Sequence, residues 1–242
     1  MSEFTVYPAI DLRNGQVVRL MQGDPDQQTV YGNDPASVAR RWLDAGSQWL
    51  HVVNLDGSFE NQDNQNQEAL QAILEVLEDE VQVQFGGGLR TMADVAWAVE
   101  VGVRRIILGT AAVIEPWMLE EALQALGPER VSVAIDARDG FVKVRGWQEG
   151  TDVSAVELAQ RVAGQGVTRI NFTNILHDGA GMGVDIQTTQ EVAEKSGLAV
   201  VASGGVASLE DIKEVKVAGF DGVIVGRALY EEQIDLKEAL AC

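Results

Sequence analysis

Cysteine is almost absent from this chain of 242 residues, and the single one is Cys242 at its C-terminal end. One thiol cannot form an intrachain disulfide, so the sequence gives no support for secretion and predicts a cytoplasmic protein. The two histidines lie far apart and form no zinc-binding pattern with the cysteine, so no metal site is predicted. Apolar runs approaching about 18 residues are also missing, which excludes a membrane-spanning helix.

Positive charge is scarce as well. The chain has 18 Lys and Arg residues against 37 Asp and Glu residues, which gives a net charge of −19. Such a protein repels nucleic acids and anionic membranes, so neither is predicted as a partner. A small anion is still compatible with this charge, because backbone amides act at short range and salt screens the outer charges over roughly 8 Å.

Short runs rich in Val and Ile alternate with stretches of helical spacing. Eight runs are predicted as strands: Val6–Ile10, Trp49–Val53, Val81–Phe85, Arg105–Leu108, Val131–Ile135, Arg169–Phe172, Ala199–Ala202 and Gly222–Val225. Helices are predicted near 35–46, 67–78, 92–101, 116–126, 153–163, 186–196, 209–218 and 235–241, and the polar run Glu60–Gln67 is predicted as an exposed loop. This alternation indicates a parallel α/β sheet, as a closed (β/α)8 barrel or a doubly wound open sheet.

An internal repeat favours the barrel. Ala9–Gly15 resembles Ala134–Gly140, and two later pairs of segments match in the same order: Phe85–Gly88 with Ala202–Gly205, and Ile107–Ala111 with Ile224–Ala228. An open sheet gives no reason for its loops to repeat, whereas two equivalent half-barrels do. The sequence therefore predicts one domain, 1–242, that is a (β/α)8 TIM barrel with twofold pseudosymmetry between half-barrels of about 1–125 and 126–242.

Two aspartates, Asp11 and Asp136, end the first predicted strand of each half. Working residues of such barrels lie at the C-terminal ends of the strands, so these carboxylates are expected to face each other across the mouth as an acid/base pair. The alternative is that each aspartate only caps its own loop. His51 points into the barrel by alternation, either as a site residue or as a packed core histidine.

Glycine-rich loops occur in matched pairs in the two halves and lead into predicted helices. They are Gly86–Gly88 and Gly109–Thr110 in the first half, and Gly204–Gly205 and Gly226–Arg227 in the second. Exposed backbone amides at such positions are typical of phosphate binding. The pairs predict a ligand with a phosphate at each end and its middle near the two carboxylates.

Seven segments along the chain form a combination that is typical of one family: Pro8–Leu12, Gly15–Leu20, Leu50–Gly57, Gln84–Arg90, Leu108–Ala112, Ser203–Val206 and Val225–Tyr230. Together they resemble the phosphoribosylformimino-aminoimidazole carboxamide ribotide isomerases of histidine biosynthesis. The resemblance covers essentially the whole chain. It implies an Amadori rearrangement of an aldose to a ketose in a small bisphosphorylated substrate, on a (β/α)8 barrel with no metal or organic cofactor. We expect the protein to be a monomer.

The resemblance also implies roles for individual residues. Asp11 would be the proton acceptor and Asp136 the proton donor, although the residues alone do not decide which aspartate does which. The implied substrate-binding residues are Arg19 and His51 at the mouth, Thr173 and Asp178 near Asp136, Gly88, Gly109 and Thr110 at one phosphate with Arg90 close by, and Gly205, Gly226 and Arg227 at the other phosphate.

Three positions depart from the family pattern. Asn54 and Asn174 stand where the family usually has acidic residues, and Ala180 stands where threonine is common. Because less negative charge lies near the site, these changes put the pKa of the catalytic groups and the anchoring of the loops in doubt.

Other functions stay open at this point. Arg145 and Trp147 are similar to residues of bifunctional relatives that also isomerise phosphoribosyl anthranilate, or else the tryptophan only covers the end of the barrel. The cyclase of the next pathway step shares the fold and the aspartates, but Asp11–Gly15 and Val18–Asp24 favour the isomerase. A non-catalytic barrel that binds a bisphosphate is the remaining alternative.

Overall fold

The computed structural model describes residues 4–60 and 65–242, so residues 61–64 of the predicted polar loop lie outside the described part. Its strands in chain order are β1 (Thr5–Arg13), β2 (Gln16–Met21), β3 (Asp24–Gly32), β4 (Trp49–Asn54), β5 (Gln82–Gly86), β6 (Arg105–Leu108), β7 (Val131–Arg138), β8 (Phe141–Val144), β9 (Glu149–Ser154), β10 (Arg169–Asn174), β11 (Ala199–Ser203) and β12 (Gly222–Val225).

Eight of these strands pair in parallel around a closed ring. The order is β1, β4, β5, β6, β7, β10, β11 and β12, and β12 returns to pair with β1. The predicted (β/α)8 barrel is therefore confirmed, and the open doubly wound sheet is wrong. All eight predicted strands are present, and two of them, β6 and β12, have the predicted bounds.

Helices lie between the barrel strands and near their ends. In chain order they are α1 (Pro35–Asp44), α2 (Leu55–Ser58), α3 (Gln65–Leu77), α4 (Met92–Glu100), α5 (Thr110–Ile114), α6 (Pro116–Leu126), α7 (Ala155–Gly164), α8 (Ile186–Ser196), α9 (Leu209–Val217), α10 (Arg227–Tyr230) and α11 (Leu236–Leu240). Within the described ranges, no helix is long and apolar enough to cross a membrane.

Helix capping explains why several helices begin where they do. Thr91 accepts a hydrogen bond from the backbone of Asp94, and the Asp94 carboxylate bonds back to Thr91, which is a capping box at the start of α4. Ser208 and Asp211 form the same device before α9. Each helix follows one of the glycine-rich loops, so the caps fix the direction in which the chain leaves the mouth of the barrel.

The hydrophobic core has two parts that follow from the alternation of side chains along each strand. Outward-facing residues such as Ile10, Val52 and Phe85 pack against the surrounding helices in one large cluster. A smaller cluster of inward-facing residues fills part of the barrel interior and contains Tyr7, Ala9, Val201 and Ile224. The buried aliphatic side chains on both faces account for the almost wholly apolar strands.

Two β-hairpins that the sequence analysis missed extend β1 and β7. The first runs through β2 and β3, and the second through β8 and β9. Their turns, Asn14–Gly15 and Asp139–Gly140, have positive φ at both residues, as a type I′ turn requires. Asn-Gly and Asp-Gly are the strongest short hairpin signals, so the sequence did contain this information.

The polar run after β4 was wrongly predicted as an exposed loop in its last part. Gln65 begins α3, and Asn66 is completely buried. The Asn66 side chain accepts a hydrogen bond from the Gly15 backbone at 2.8 Å and donates one to the Leu12 carbonyl at 3.0 Å. A buried amide is stable here because it satisfies backbone groups that the first hairpin turn leaves unpaired.

Candidate active site

Asp11 and Asp136 occupy equivalent positions in two matched rows of paired residues. The row from Asp11 continues through Val53, Gly86, Ile107 and Ser132. The row from Asp136 continues through Thr173, Ser203, Ile224 and Tyr7. Each row starts at the mouth with a carboxylate and descends around half of the barrel, so the two aspartates face one cavity from opposite halves.

That cavity has a volume of about 270 Å³ and opens at the C-terminal ends of the strands. The predicted residues that line it are Asp11, Arg19, His51, Gly88, Arg90, Gly109, Thr110, Asp136, Arg145, Trp147, Thr173 and Asp178. The remaining predicted residues, Gly205, Gly226 and Arg227, line a smaller adjoining pocket of about 20 Å³ that shares Arg19 and Asp178. The structure thus brings the predicted residues together, while their individual roles stay predictions.

Asp11 is a partly buried carboxylate with a cationic partner. Arg19 on β2 reaches back across the hairpin and places Nη1 at 2.7 Å from the Asp11 Oδ2. Burial raises the pKa of Asp11 to about 6, against the attraction of Arg19, while the negative charge of Asp178 raises it further. Such a group is ionised at neutral pH and yet basic enough to accept a proton, which suits a general base.

Asp136 has hydrogen-bond donors around it instead of a cation. Burial raises its pKa, hydrogen bonds from Trp147 and Thr173 lower it, and the nearby charge of Asp178 raises it. Neither the Asp136 carboxylate nor that of Asp11 caps its own loop among the described contacts. Their contacts run instead to Arg19 and to Trp147 and Thr173, while their role as an acid/base pair stays a prediction.

Asp178 brings a third, partly buried carboxylate to the same space. Burial raises its pKa, and the guanidinium groups of Arg19 and Arg227 oppose that rise. Arg227 donates a hydrogen bond to the Gly179 carbonyl, which ties the loop that carries Asp178 to the start of α10. The loop after β10 is therefore held against the smaller pocket through its backbone.

Glycine is required in both loops because backbone packs directly on backbone. Gly87 has a φ of +95°, and a Cβ atom there would overlap the Asn54 carbonyl oxygen. Gly205 has a φ of +93°, and a Cβ atom would overlap the Gly183 carbonyl oxygen. Gly87 packs on the last residue of the preceding barrel strand, and Gly205 packs on the loop that follows β10. Both glycine loops are therefore held by the same kind of backbone contact.

Gly87→Ala is expected to destabilise the protein by about 3 kcal/mol, because alanine is strained at this φ and its methyl group meets a backbone atom that cannot move away cheaply. Gly46→Ala is the matched control, since Gly46 has a φ of +94° and open space at its Cβ position. It should cost about 1 kcal/mol, from the backbone strain alone. Urea unfolding of the three proteins measures both values, and equal losses would contradict the proposed contact.

Comparison with known proteins identifies the family. Residues 5–235 match the family model described as "Histidine biosynthesis protein". The chain belongs to this family. It is 49% identical over 238 residues to a protein of Granulibacter bethesdensis, a match that covers 98% of this chain and 97% of the relative. A protein of Symbiobacterium thermophilum is 48% identical over 240 residues, with 98% of this chain and 95% of the relative covered.

A third relative, from Bacillus pumilus, is 43% identical over 243 residues, and the match covers 99% of this chain and 98% of that protein. All three relatives are named 1-(5-phosphoribosyl)-5-((5-phosphoribosylamino)methylideneamino) imidazole-4-carboxamide isomerase. The similarity extends over nearly the full length of each chain.

The asparagines that depart from the usual pattern of the histidine biosynthesis family anchor loops. Asn54 Oδ1 accepts hydrogen bonds from the Gly57 backbone at 2.9 Å and from Asn66 at 2.7 Å. Asn174 donates to the Asp185 carboxylate at 2.7 Å. An aspartate at 174 would repel Asp185, so the amide is matched to its neighbour. The anchoring of these loops, which the sequence left in doubt, is thus provided by the asparagine side chains themselves.

Trp147 lies between β8 and β9 and covers part of the cavity. Its indole ring packs so closely on Gly23 of the first hairpin that a Cβ atom at Gly23 would overlap the ring. The side chain also bonds to Asp136. Arg145 forms ion pairs with Glu60 and Glu149, at 3.3 and 3.0 Å. Both residues line the cavity, and their role at the substrate stays a prediction.

Two polar residues of the barrel interior were not predicted, Gln84 behind His51 and Asn171 in the cavity wall. Gln84 lies next to His51 in the sheet, and its Nε2 is 3.0 Å from His51 Nδ1. Asn171 lines the cavity wall, and its side-chain nitrogen has no hydrogen-bond partner within the described residues. A polar side chain inside a buried parallel strand was the available signal, because burying such a group costs free energy and an aliphatic residue would otherwise be expected there.

His51 is neutral in this environment. Burial and the positive charge of Arg19 lower its pKa to about 3. The ring is therefore uncharged at neutral pH. A metal ion finds no obvious place in residues 4–60 and 65–242, where no group of three or more His, Cys, Asp or Glu side chains is arranged to hold one.

Proposed function

We propose that this protein is a 1-(5-phosphoribosyl)-5-((5-phosphoribosylamino)methylideneamino) imidazole-4-carboxamide isomerase that catalyses an Amadori rearrangement in histidine biosynthesis. Relatives over 40% identical across nearly the full chain carry that name. The observation that carries the mechanism is the placement of Asp11 and Asp136 in matched rows, on opposite sides of one cavity.

The reaction divides into an acid step and a base step. A carboxylic acid donates a proton to the ring oxygen of the aminoaldose, and the ring opens to a Schiff base. A carboxylate then removes the proton from C2′, and the resulting enolamine becomes the ketose when C1′ gains a proton and the C2′ hydroxyl loses one. The rearrangement moves protons within one molecule, so two groups with different proton affinities on opposite sides of the substrate are sufficient.

We assign the base to Asp11 and the acid to Asp136. The ion pair of Asp11 with Arg19 favours the charged form of Asp11, even though burial raises its pKa to about 6. Asp136 has no cation beside it in the described structure, and the negative charge of Asp178 helps it to keep a proton. Entry of the substrate removes water from the cavity, which raises the proton affinity of Asp136 further.

The substrate carries a phosphate at each end, and we place one at each glycine loop. Gly88, Gly109 and Thr110 line the main cavity, whereas Gly205, Gly226 and Arg227 line the smaller pocket in the other half of the barrel. Backbone amides and the guanidinium groups of Arg90 and Arg227 would contact the phosphates at short range. This local arrangement offsets the net charge of −19 that the rest of the surface presents.

The comparisons give no support to either alternative function, a second activity on phosphoribosyl anthranilate or a barrel without catalytic activity. A direct assay tests the proposal. Purified protein should convert the aminoaldose substrate to the ketose without added metal. Protein that binds the substrate and never turns it over would overturn the proposal in favour of a binding barrel. A cytoplasmic monomer remains our expectation for the form in which the enzyme works.

The pH profile of the wild-type enzyme tests the assignment of the base. Asp11 must be ionised to accept a proton, and its pKa is raised to about 6, so activity is expected to be lost as the pH falls. Specifically, kcat/KM should fall about tenfold per pH unit below about pH 6. Rates measured between about pH 4.5 and 8 give the position of this limb. A profile that stays flat down to about pH 4.5 would contradict a base with a raised pKa.

A further inference from the structure

His51, Gln84 and Arg105 form a polar row across three neighbouring barrel strands. His51 on β4 pairs with Gln84 on β5, and Gln84 pairs with Arg105 on β6. Gln84 is completely buried, and the exposed fraction of Arg105 is 6%. His51 lines the active-site cavity. The row therefore connects the barrel interior to one wall of the cavity.

Arg105 fixes the direction of the Gln84 amide. Arg105 Nη1 is 3.1 Å from Gln84 Oε1. A guanidinium group has hydrogen-bond donors only, so the amide must present its oxygen to Arg105 and its nitrogen to the other side. The reverse orientation would bring two N–H groups together, which is unfavourable inside a protein.

The position of Arg105 is itself well determined. Its Nε donates to the Glu129 carbonyl at 3.2 Å, and Nη1 also reaches the Tyr7 hydroxyl at 3.5 Å. The guanidinium carbon lies 4.3 Å from the centre of the Trp49 ring, which is a cation–π contact. A buried, charged side chain with this many partners provides a rigid reference for the row.

The direction of the amide decides where the proton of His51 lies. Gln84 Nε2 approaches His51 Nδ1 at 3.0 Å, and an amide nitrogen can only donate. Nδ1 must therefore accept, and in the neutral ring the proton is on Nε2. A ring in this state has no free lone pair with which to act as a base, so it can only donate from Nε2.

We propose that Gln84, held by Arg105, is a positioning residue that fixes His51 in its neutral Nε2–H tautomer and so makes the ring a hydrogen-bond donor to an oxygen atom of the substrate. The acceptor would be a hydroxyl or ring oxygen of a ribose. The proposal rests on the isomerase function given above, and it leaves proton transfer to the two aspartates.

The second histidine provides an internal reference. His177 Nδ1 lies 2.8 Å from the Gly183 carbonyl oxygen, which can only accept, so the proton of this ring is on Nδ1. The chain contains two histidines. The structure therefore assigns them opposite tautomers, and 15N NMR distinguishes a protonated ring nitrogen from an unprotonated one.

The experiment is a 15N spectrum of the histidine side chains at about pH 8, where an ordinary histidine is neutral. The variant His177→Gln assigns the signals. His51 should show a protonated Nε2 and His177 a protonated Nδ1. In Gln84→Glu, a carboxylate of nearly the same size accepts from the ring in place of an amide that donates, so the His51 proton should move to Nδ1.

The same variant should change the kinetics. Without the Nε2 donor, kcat/KM of Gln84→Glu is expected to fall about tenfold, mainly through KM, because one hydrogen bond to the substrate is lost. Gln82→Glu on the same strand is the matched control, since Gln82 is exposed. It should keep both the tautomer and the kinetic constants of the wild type.

A protonated Nδ1 on His51 in the wild type would overturn the proposal, as would an unchanged tautomer or unchanged kcat/KM in Gln84→Glu. If Gln84→Glu does not fold, Gln84→Met serves instead, because methionine fills the space and cannot donate. His51 should then lose its single tautomer, and retention of the wild-type Nε2–H signal would contradict the proposal. A failure of the isomerase function is distinguishable, because it appears as wild-type protein without turnover whatever the tautomer.

Discussion

Asp11→Asn is expected to lower kcat by about 10³-fold, the largest effect among the substitutions considered for this enzyme. The amide has nearly the shape of the carboxylate, so the cavity should be preserved while the base that removes the C2′ proton is lost. Arg19 would lose its 2.7 Å ion-pair partner but keep the attraction of Asp178. KM should consequently change much less than kcat, and steady-state kinetics separate the two constants.

Asp139→Asn is the matched control for this substitution. Asp139 lies in the β7–β8 hairpin turn with a φ of 53°, and Asn14 occupies the equivalent turn in the first half with a φ of 49°. Asparagine is therefore already accepted in this turn, and kcat should stay within about twofold of the wild type. Residual Asp11→Asn activity that keeps the wild-type fall below about pH 6 would contradict Asp11 as the base.

The barrel could be predicted from the sequence because it depends on patterns that repeat. Buried parallel strands require aliphatic residues on both faces, so each strand can be recognised in the sequence without knowing which strands pair with it. The bounds of β6 and β12 were predicted to the residue. β6 begins at an arginine and β12 at a glycine, and a glycine follows the apolar run of each strand. The strands alone do not show that the sheet closes into a barrel, and the repeated loops supplied that evidence.

The hairpins and the buried amides were missed for a different physical reason. β3 consists mostly of polar residues such as Gln28, and Arg19 interrupts the buried apolar residues of β2, so only the Asn14–Gly15 turn indicated the first hairpin. Asn66 is polar in a polar run and yet fully buried, because its partner Gly15 lies 51 residues earlier in the chain. Polarity indicates exposure only when no distant group satisfies the side chain, and the sequence does not show which group that is.

The residues of the candidate site fall into the same two groups, those that could be predicted from the sequence and those that could not. Residues that end a strand or follow it in a glycine loop were predicted, since the barrel geometry collects them at one face. Gln84 is one layer deeper and was not predicted, although it decides the state of His51. The asparagines at 54 and 174 put the anchoring of the loops in doubt, whereas the structure shows them bonded to Asn66 and Asp185. Their effect depends on neighbours that only the fold reveals.

Asp136→Asn is expected to lower kcat by roughly 10²- to 10³-fold, because an amide cannot donate the proton that opens the ring. Trp147 and Thr173 can keep their places around the isosteric side chain, so the substrate should still bind. The difference from Asp11→Asn lies in the pH profile. Asp11 is intact in this variant, and the fall of kcat/KM below about pH 6 should persist at the lower rate.

The double variant Asp11→Asn/Asp136→Asn tests whether the two carboxylates act together. Two groups that act in one sequence of proton transfers do not contribute independently, so the double loss should be far smaller than the product of the single losses. Rates for the wild type, both single variants and the double variant give this coupling directly. Fully multiplicative losses would mean that the carboxylates act on separate processes, and the acid/base assignment across the cavity would then be wrong.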